Sequence, residues 1–119
     1  MHESGEMYLE TIFMLSKEKT NVRSIDIARK MNFSRPSVCR AMRLLKDGGF
    51  IDIDENGFII LTETGLEYAE KIYERHTVLT ELLISFGIDE KTASEDACRM
   101  EHVISDKSVN KIKNTLCKN

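Results

Sequence analysis

The stretch of sequence that decides the fold is residues 24–49, SIDIARKMNFSRPSVCRAMRLLKDGG. Residues 25–31 predict a short helix, and residues 32–34 predict a tight turn after it. A second helix opens around Pro36, where the missing N–H of proline does no harm, and it stops at the glycine pair 48–49. Two helices joined by a three-residue turn predict a helix-turn-helix.

A β-hairpin is predicted directly after the second helix. Residues 50–61 hold two β-rich runs around residues 55–57, Glu-Asn-Gly. Asn-Gly between apolar runs is the strongest short hairpin signal. A hairpin behind a recognition helix is a wing, so residues 1–61 predict a winged helix-turn-helix DNA-binding domain. The wing tip, residues 54–55, is acidic, and we expect it to contribute little to phosphate binding.

Basic charge is concentrated in the same stretch. Residues 20–50 carry seven Lys and Arg against two Asp and Glu, although the net charge of the whole chain is −3. Such a local excess is the footprint of nucleic-acid binding. The side chains predicted to face DNA are Ser34, Arg35, Pro36, Ser37 and Arg40. The two arginines are suited either to reading guanine or to holding phosphate, and the sequence leaves both roles open.

The rest of the chain is predicted to be helical, so the fold class is mainly α. The predicted helices cover residues 4–17, 25–31, 35–47, 63–86, 90–104 and 106–117, with N-caps at Ser4, Ser24, Ser34, Thr62, Asp89 and Ser105. Residues 62–119 form a second, helical domain in which the last two helices have modest apolar faces. A symmetric homodimer is the simplest way to cover such faces.

One short motif in this second domain carries candidate chemistry. Cys98, Glu101 and His102 fall at i, i+3 and i+4 of the helix predicted over residues 90–104. A thiol, a carboxylate and an imidazole then share one helix face, and these donors suit a borderline transition metal. Taken alone, a helical cysteine is more often a small buried apolar residue, and a Glu-His pair is more often solvated surface. Three ligands from two turns leave a metal site incomplete, so a fourth ligand is expected from elsewhere in the chain.

Composition limits the class of protein. No apolar run approaches the ~20 residues of a membrane helix. The N-terminus has no secretion-signal pattern, and the three scattered cysteines do not form a disulfide framework. We therefore expect a cytoplasmic protein with no membrane partner and no small organic substrate. Because the sequence contains no glycine-rich phosphate loop, nucleophile elbow or hydrolytic carboxylate pair, we predict that it is not an enzyme.

Over nearly its whole length, the chain resembles the iron- and manganese-dependent repressors of the diphtheria-toxin-repressor family. The motifs that carry the resemblance are GEMYLETI (5–12), RSIDIA (23–28), SRPSV (34–38), LTETG (61–65), ERH (74–76) and DACRMEHVISD (96–106). The resemblance implies a winged helix-turn-helix followed by a helical metal-binding and dimerisation domain. It also implies a metal-dependent repressor of metal-uptake genes that binds a palindromic operator in double-stranded DNA as a homodimer.

The resemblance further implies the ligands of the ion that activates DNA binding. The family's fourth ligand comes from the first helix, and Met7 occupies that position here. The implied site is Met7, Cys98, Glu101 and His102, which is the iron-type set. Thioether and thiolate are soft donors while Mn²⁺ prefers oxygen, so Fe²⁺ is the expected metal and Mn²⁺ the second choice. Co²⁺, Ni²⁺ and Zn²⁺ are expected to bind in vitro.

A second ion is also considered on the basis of the resemblance. Manganese-type members hold one with Glu and His at the positions of Glu10 and His76, and this chain keeps both residues. A second ion here would use Glu10, His76 and Glu101. The ancillary site of the iron-type members is broken, because Thr80 and Ser94 stand at the positions of its Glu and one of its His residues.

Two alternative functions stay open on the sequence. A winged-helix regulator would sense oxidation instead of metal if Cys98, next to the cationic Arg99, were the reactive group. A small metal-binding protein that never touches DNA is the other alternative, and the basic helix-turn-helix argues against it.

Overall fold

A computed structural model describes residues 3–117 as six helices and one two-stranded hairpin. Their order is α1 (Glu3–Glu18), α2 (Ser24–Met31), α3 (Arg35–Asp47), β1 (Ile51–Ile53), β2 (Ile59–Leu61), α4 (Glu63–Ser85), α5 (Glu90–Met100) and α6 (Asp106–Cys117). This confirms the predicted mainly α class with a wing. The chain divides into two compact units, one ending at Glu70 and the other starting at Lys71. A domain boundary at residue 61 stays a prediction.

The helix-turn-helix in the first unit forms for local reasons. Ser34 has an extended backbone, and its hydroxyl accepts a hydrogen bond from the Ser37 N–H, so α3 begins at Arg35 as predicted. Asn32 ends α2 in the left-handed conformation (φ 56°), which reverses the chain within three residues. The largest fully buried side chains of this unit are Leu9, Ile12, Ile27, Val38, Met42 and Ile51. Each contributes roughly 1.5–3 kcal/mol by burial.

The wing is an antiparallel pair of β1 and β2, as the Asn-Gly signal predicts. At its tip the Asp54 carboxylate accepts hydrogen bonds from two backbone N–H groups of the turn, each at 2.9 Å. Gly57 follows with φ 80°, a conformation that L side chains rarely adopt. Val22 adds an isolated antiparallel bridge to Ile59, so the wing is also tied to the chain that precedes α2.

The start of α4 is held against the end of the helix-turn-helix. The Thr62 hydroxyl accepts a hydrogen bond from the Gly65 N–H at 3.1 Å and donates one to the Gly49 carbonyl at 2.6 Å. A Cβ at Gly65 would lie 1.9 Å from the Phe50 carbonyl oxygen, so this close approach requires glycine. The predicted Thr62 cap is therefore confirmed.

None of the described helices is both long and apolar enough to cross a membrane.

Two of the predicted N-caps are wrong. Ser4 lies inside α1, and Ser24 is the first residue of α2 rather than its cap. The cap position of α2 is Arg23, whose backbone N–H donates to the Asp26 carboxylate at 2.8 Å. The acidic side chain three residues into the helix therefore satisfies this end, a role that serine was expected to have.

The predicted end of α5 is also wrong. The helix ends at Met100, four residues before the end expected at Ile104, and Glu101 is its C-cap. Residues 101–104 form turns, and Ser105 then caps α6 as predicted. The candidate ligands Glu101 and His102 therefore lie on a turn rather than on a helix face.

Candidate metal centre and DNA-binding surface

The second unit buries a carboxylate between two imidazoles. Among residues 4–117, Glu101 is the one charged or polar residue that is buried along with its backbone, and its side chain is 0% exposed. Its Oε2 lies 2.9 Å from Nδ1 of His76, and its Oε1 lies 3.3 Å from Nε2 of His102. The His102 side chain is 1% exposed. Burying a carboxylate is costly unless partners compensate it, so this cluster needs a reason.

Cys98 completes a group of three donors. One ligand atom from each of Cys98, Glu101 and His102 lies within 4.8 Å of the others. This happens although α5 has ended, because Glu101 keeps helical dihedral angles (φ −61°, ψ −23°) and its N–H still bonds to Ala97. The proximity expected from the i, i+3, i+4 spacing is therefore present, for a slightly different reason.

His76 reaches the same carboxylate from α4. Its Nδ1 contacts the Glu101 carboxylate, and its Nε2 lies 3.3 Å from the hydroxyl oxygen of Ser94 on α5. With both ring nitrogens engaged, the imidazole is oriented on the carboxylate. Ser94 stands where iron-type members of the family are expected to have a histidine ligand, and the structure shows that it is a hydrogen-bonding partner of His76.

Arg75 is a second residue that contacts the donor cluster, and the sequence marks it only as part of the motif at residues 74–76. The Arg75 guanidinium donates to the carbonyl oxygens of Glu101 at 3.0 Å and Ile104 at 2.7 Å, and it also pairs with Asp106. The signal that was available is an arginine directly before the candidate ligand His76. Nothing in the local sequence shows that its partners lie 26 and 29 residues further along the chain.

The donors fit a divalent transition metal. Glu101 Oε1 is buried and accepts no hydrogen bond from the part of the chain that the structure describes. An acceptor oxygen left open in the interior, with a thiol and an imidazole beside it, is a ligand set that borderline metals such as Fe²⁺ and Zn²⁺ use. Met7 and Glu10 lie half-buried on α1 in the first unit. Their part in a metal site stays a prediction.

The residues predicted to face DNA share one end of α3. Arg35, Pro36 and Arg40 are exposed. The Ser34 and Ser37 hydroxyl oxygens are 2.9 Å apart, and an Arg40 Nη2 group lies 3.5 Å from Ser37. The Ser37 hydroxyl therefore lies between the capping Ser34 and Arg40. Contact of these residues with DNA stays a prediction.

A basic recognition helix with a wing, followed by a helical unit with clustered metal donors, defines a metal-responsive DNA-binding regulator. Comparison with known families agrees with this class. Residues 1–57 match the N-terminal DNA-binding domain of iron-dependent repressors, and residues 62–118 match their metal-binding and dimerisation domain. The chain belongs to this family of metal-dependent transcriptional repressors.

Individual relatives agree with this assignment. The chain is 36% identical over 115 residues to an uncharacterized HTH-type transcriptional regulator of Methanocaldococcus jannaschii. That alignment covers 95% of this chain and 92% of the relative. It is 30% identical over 105 residues to the diphtheria toxin repressor of Corynebacterium diphtheriae, covering 87% of this chain and 46% of the repressor. The solved structure of the manganese regulator SloR superimposes with a TM-score of 0.84 at 26% identity, covering 97% of this chain and 54% of that one. The chain thus spans about half the length of these last two proteins.

Proposed function

We propose that this protein represses metal-uptake genes by binding a palindromic operator as a homodimer when Fe²⁺, or else Mn²⁺, is bound. The observation that carries the proposal is the buried Glu101 carboxylate, which lies between two histidines and has one oxygen open as an acceptor. A protein interior retains such a group where a cation compensates it. The family assignment supports the DNA, the metal and the dimer.

The residues proposed to hold the activating ion are Met7, Cys98, Glu101 and His102. Three of them belong to the cluster in the second unit, and Met7 is proposed from the family resemblance. A bound divalent cation would supply positive charge against the buried carboxylate and a thiolate. The Glu101 and His102 side chains are 0% and 1% exposed, so both are shielded from water.

A second ion is proposed to use Glu10, His76 and Glu101. The 2.9 Å distance between His76 Nδ1 and Glu101 Oε2 supports this set, because the two donor atoms already converge. That imidazole nitrogen and the carboxylate are partners of each other. A second ion would have to replace this contact, so it should bind more weakly than the first.

The DNA-binding role is proposed for Ser34, Arg35, Pro36, Ser37 and Arg40 at the exposed start of α3. In a dimer, two recognition helices would enter successive major grooves roughly 34 Å apart. Bound cations would also reduce the repulsion between the acidic stretch after the recognition helix and phosphate, since residues 51–119 carry 14 Asp and Glu against eight Lys and Arg.

The choice of Fe²⁺ over Mn²⁺ depends on the ligand types. A thioether from Met7 and a thiolate from Cys98 are softer donors than Mn²⁺ prefers. The relatives include a manganese regulator as well as the diphtheria toxin repressor. The preference for Fe²⁺ over Mn²⁺ is therefore proposed from the softness of the Met7 and Cys98 donors and not from the relatives.

The decisive experiment is fluorescence anisotropy on a DNA duplex selected from a random library, at one fixed salt concentration. Anaerobic Fe²⁺, Mn²⁺ and then chelator are titrated against the wild type and the Glu101→Ala variant. We expect metal-dependent binding in the wild type, at lower free Fe²⁺ than Mn²⁺, and its loss in Glu101→Ala. Wild-type binding that ignores metal and chelator would contradict the proposal, and oxidation of Cys98 would be tested next.

The metal preference has its own test in the same assay. A Met7→Asp, Cys98→Glu double variant replaces both soft donors with carboxylates, and each single variant is the matched control. We expect the ratio of Mn²⁺ to Fe²⁺ response to rise most in the double variant. An unchanged ratio would refute the argument from donor softness and leave the repressor function standing.

A further inference from the structure

We propose that Arg75 is a positioning residue for the metal centre, which fixes the backbone of the turn that carries Glu101 and His102. This inference rests on the proposed metal site and adds a residue that binds neither metal nor DNA. This turn, which we call the ligand turn, comprises residues 101–104 and is followed by Ser105, the cap of α6.

The geometry shows how α4 holds this turn by two successive residues. Arg75 donates to the main-chain carbonyl of Glu101 at 3.0 Å, and His76 contacts the carboxylate of the same residue at 2.9 Å. Backbone and side chain of Glu101 are therefore fixed from the same turn of α4. Arg75 also donates to the Ile104 carbonyl at 2.7 Å, so both ends of the turn are held by one guanidinium.

The chemistry of the turn requires such a donor. The last four carbonyl groups of a helix have no partner within the helix, and α5 ends immediately before this turn. In a continuing helix the Glu101 carbonyl would accept from the N–H four residues later, but Ser105 instead caps α6. A planar guanidinium has five N–H donors in a fixed fork, and its charge is favourable at a helix C-terminus.

Asp106 in turn orients the guanidinium. Its carboxylate accepts from Arg75 and, at 3.1 Å, from the ammonium of Lys71. These two donors, Arg75 first, hold the pKa of the Asp106 carboxyl below its usual range. Arg75 is 15% exposed at the side chain, so water competes little for its contacts. The ligand turn, α4 and the first residue of α6 are thus linked through one side chain.

The test compares Arg75→Met and Arg75→Lys with a matched control, Lys113→Met. Lys113 also links α6 to α4, through an exposed ion pair with Glu74 at 2.5 Å, but this ion pair does not involve the ligand turn. For each protein, Mn²⁺ and Co²⁺ affinity is measured by competition with a fluorescent chelator. The Co²⁺ absorption spectrum and urea unfolding in EDTA are recorded in parallel.

We expect Arg75→Met to bind both ions about 10- to 100-fold more weakly, as removal of residues that orient ligands usually does. Its Co²⁺ spectrum should change, because the ligand geometry is relaxed. Arg75→Lys should be intermediate, since an ammonium lacks the planar fork. Lys113→Met should match the wild type in metal affinity and in the Co²⁺ spectrum, whether or not its free energy of unfolding changes.

A purely structural role would give a different pattern. If Arg75→Met lost stability but kept wild-type metal affinity and the wild-type Co²⁺ spectrum, the inference would be wrong. If Arg75→Met does not fold, Arg75→Lys decides by the same criterion. Glu101→Gln, run in parallel, separates the two proposals: wild-type metal affinity in that variant overturns the metal site itself, whereas a failure confined to the Arg75 variants overturns only this inference.

Discussion

The buried carboxylate of Glu101 is costly to stability without metal, and in the proposed site it contributes to metal binding. Its carboxylate is fully buried, one oxygen contacts His76, and the other lacks a hydrogen bond among residues 3–117. Without metal such a group opposes folding, and as a ligand of the proposed ion it would bind strongly. The proposed site therefore predicts opposite effects of this side chain on stability in the two states.

Replacing Glu101 with Gln separates these effects. In chelator, Glu101→Gln should be at least as stable as the wild type, because no charge is buried. In Mn²⁺ at 100 times the wild-type Kd, the wild type should gain about 2.7 kcal/mol and the variant much less. Urea unfolding with EDTA or Mn²⁺ measures both values.

The matched control is Glu95→Gln, which makes the same chemical change at an exposed position of α5. It should gain as much stability from Mn²⁺ as the wild type. Equal Mn²⁺ stabilisation of Glu101→Gln and the wild type would contradict the ligand role of Glu101.

At the scale of elements, α3 presents its side chains in two groups. The first turns hold Ser37 and Arg40, which contact each other, while Arg43 lies exposed one turn further along. A side chain near the start of a recognition helix is placed for base edges, and one further along is placed for phosphate.

We therefore expect Arg40→Ala to lose sequence preference in DNA binding and Arg43→Ala to lose affinity for every sequence. Arg40→Ala should cost about 1–3 kcal/mol on the preferred operator and relax its sequence preference at one position. Arg43→Ala should weaken binding to all sequences alike and lower the salt slope by about one. Anisotropy on matched and single-mismatch duplexes at several salt concentrations distinguishes them. A uniform loss in Arg40→Ala would assign that residue to phosphate.

The start of α2 predicts a pH dependence. The hydrogen bond from the Arg23 N–H, assisted by the Lys19 ammonium at 2.9 Å, holds the pKa of Asp26 below its usual 3.8. Because the folded pKa is lowered, this carboxylate contributes its full stability above the unfolded value and loses it as pH falls through the folded value.

The corresponding variant is Asp26→Asn. The wild type should exceed it in free energy of unfolding near neutral pH, and the difference should shrink once pH falls below the usual Asp value of 3.8. Urea unfolding of both proteins across that range measures it. A difference that stays constant on acidification would show that the carboxylate charge contributes nothing to this helix end.

At the scale of the whole molecule, metal should affect both units if Met7 is a ligand. Hydrogen exchange with and without Mn²⁺ should then slow in residues 98–105 and also in α1. Met7→Leu conserves size and apolar character, so it should keep the protection in 98–105 and lose the added protection in α1. Protection of α1 in both proteins would assign the coupling to another residue.

Local signals predicted most of the elements. Ser34, Thr62, Asp89 and Ser105 cap helices where the sequence indicates, and the Asn-Gly pair turns the wing. Each of these features depends on residues only a few positions apart. The early end of α5 was not predicted, because residues 89–119 contain no Gly or Pro to mark it. The carbonyl groups of Glu101 and Ile104, which follow this helix end, accept hydrogen bonds instead from Arg75, 26 and 29 residues away in the sequence.

The sequence by itself determined the winged helix-turn-helix, the basic recognition helix and the proximity of Cys98 to Glu101 and His102. These depend on helical spacing, capping and turn chemistry, which act between near neighbours. Only the tertiary structure decided that His76 meets the Glu101 carboxylate, that Ser94 supports His76 and that Arg75 holds the ligand turn. Those contacts join residues 18 to 26 positions apart on different elements, and only the packing of α4 with α5 and the following turn creates them.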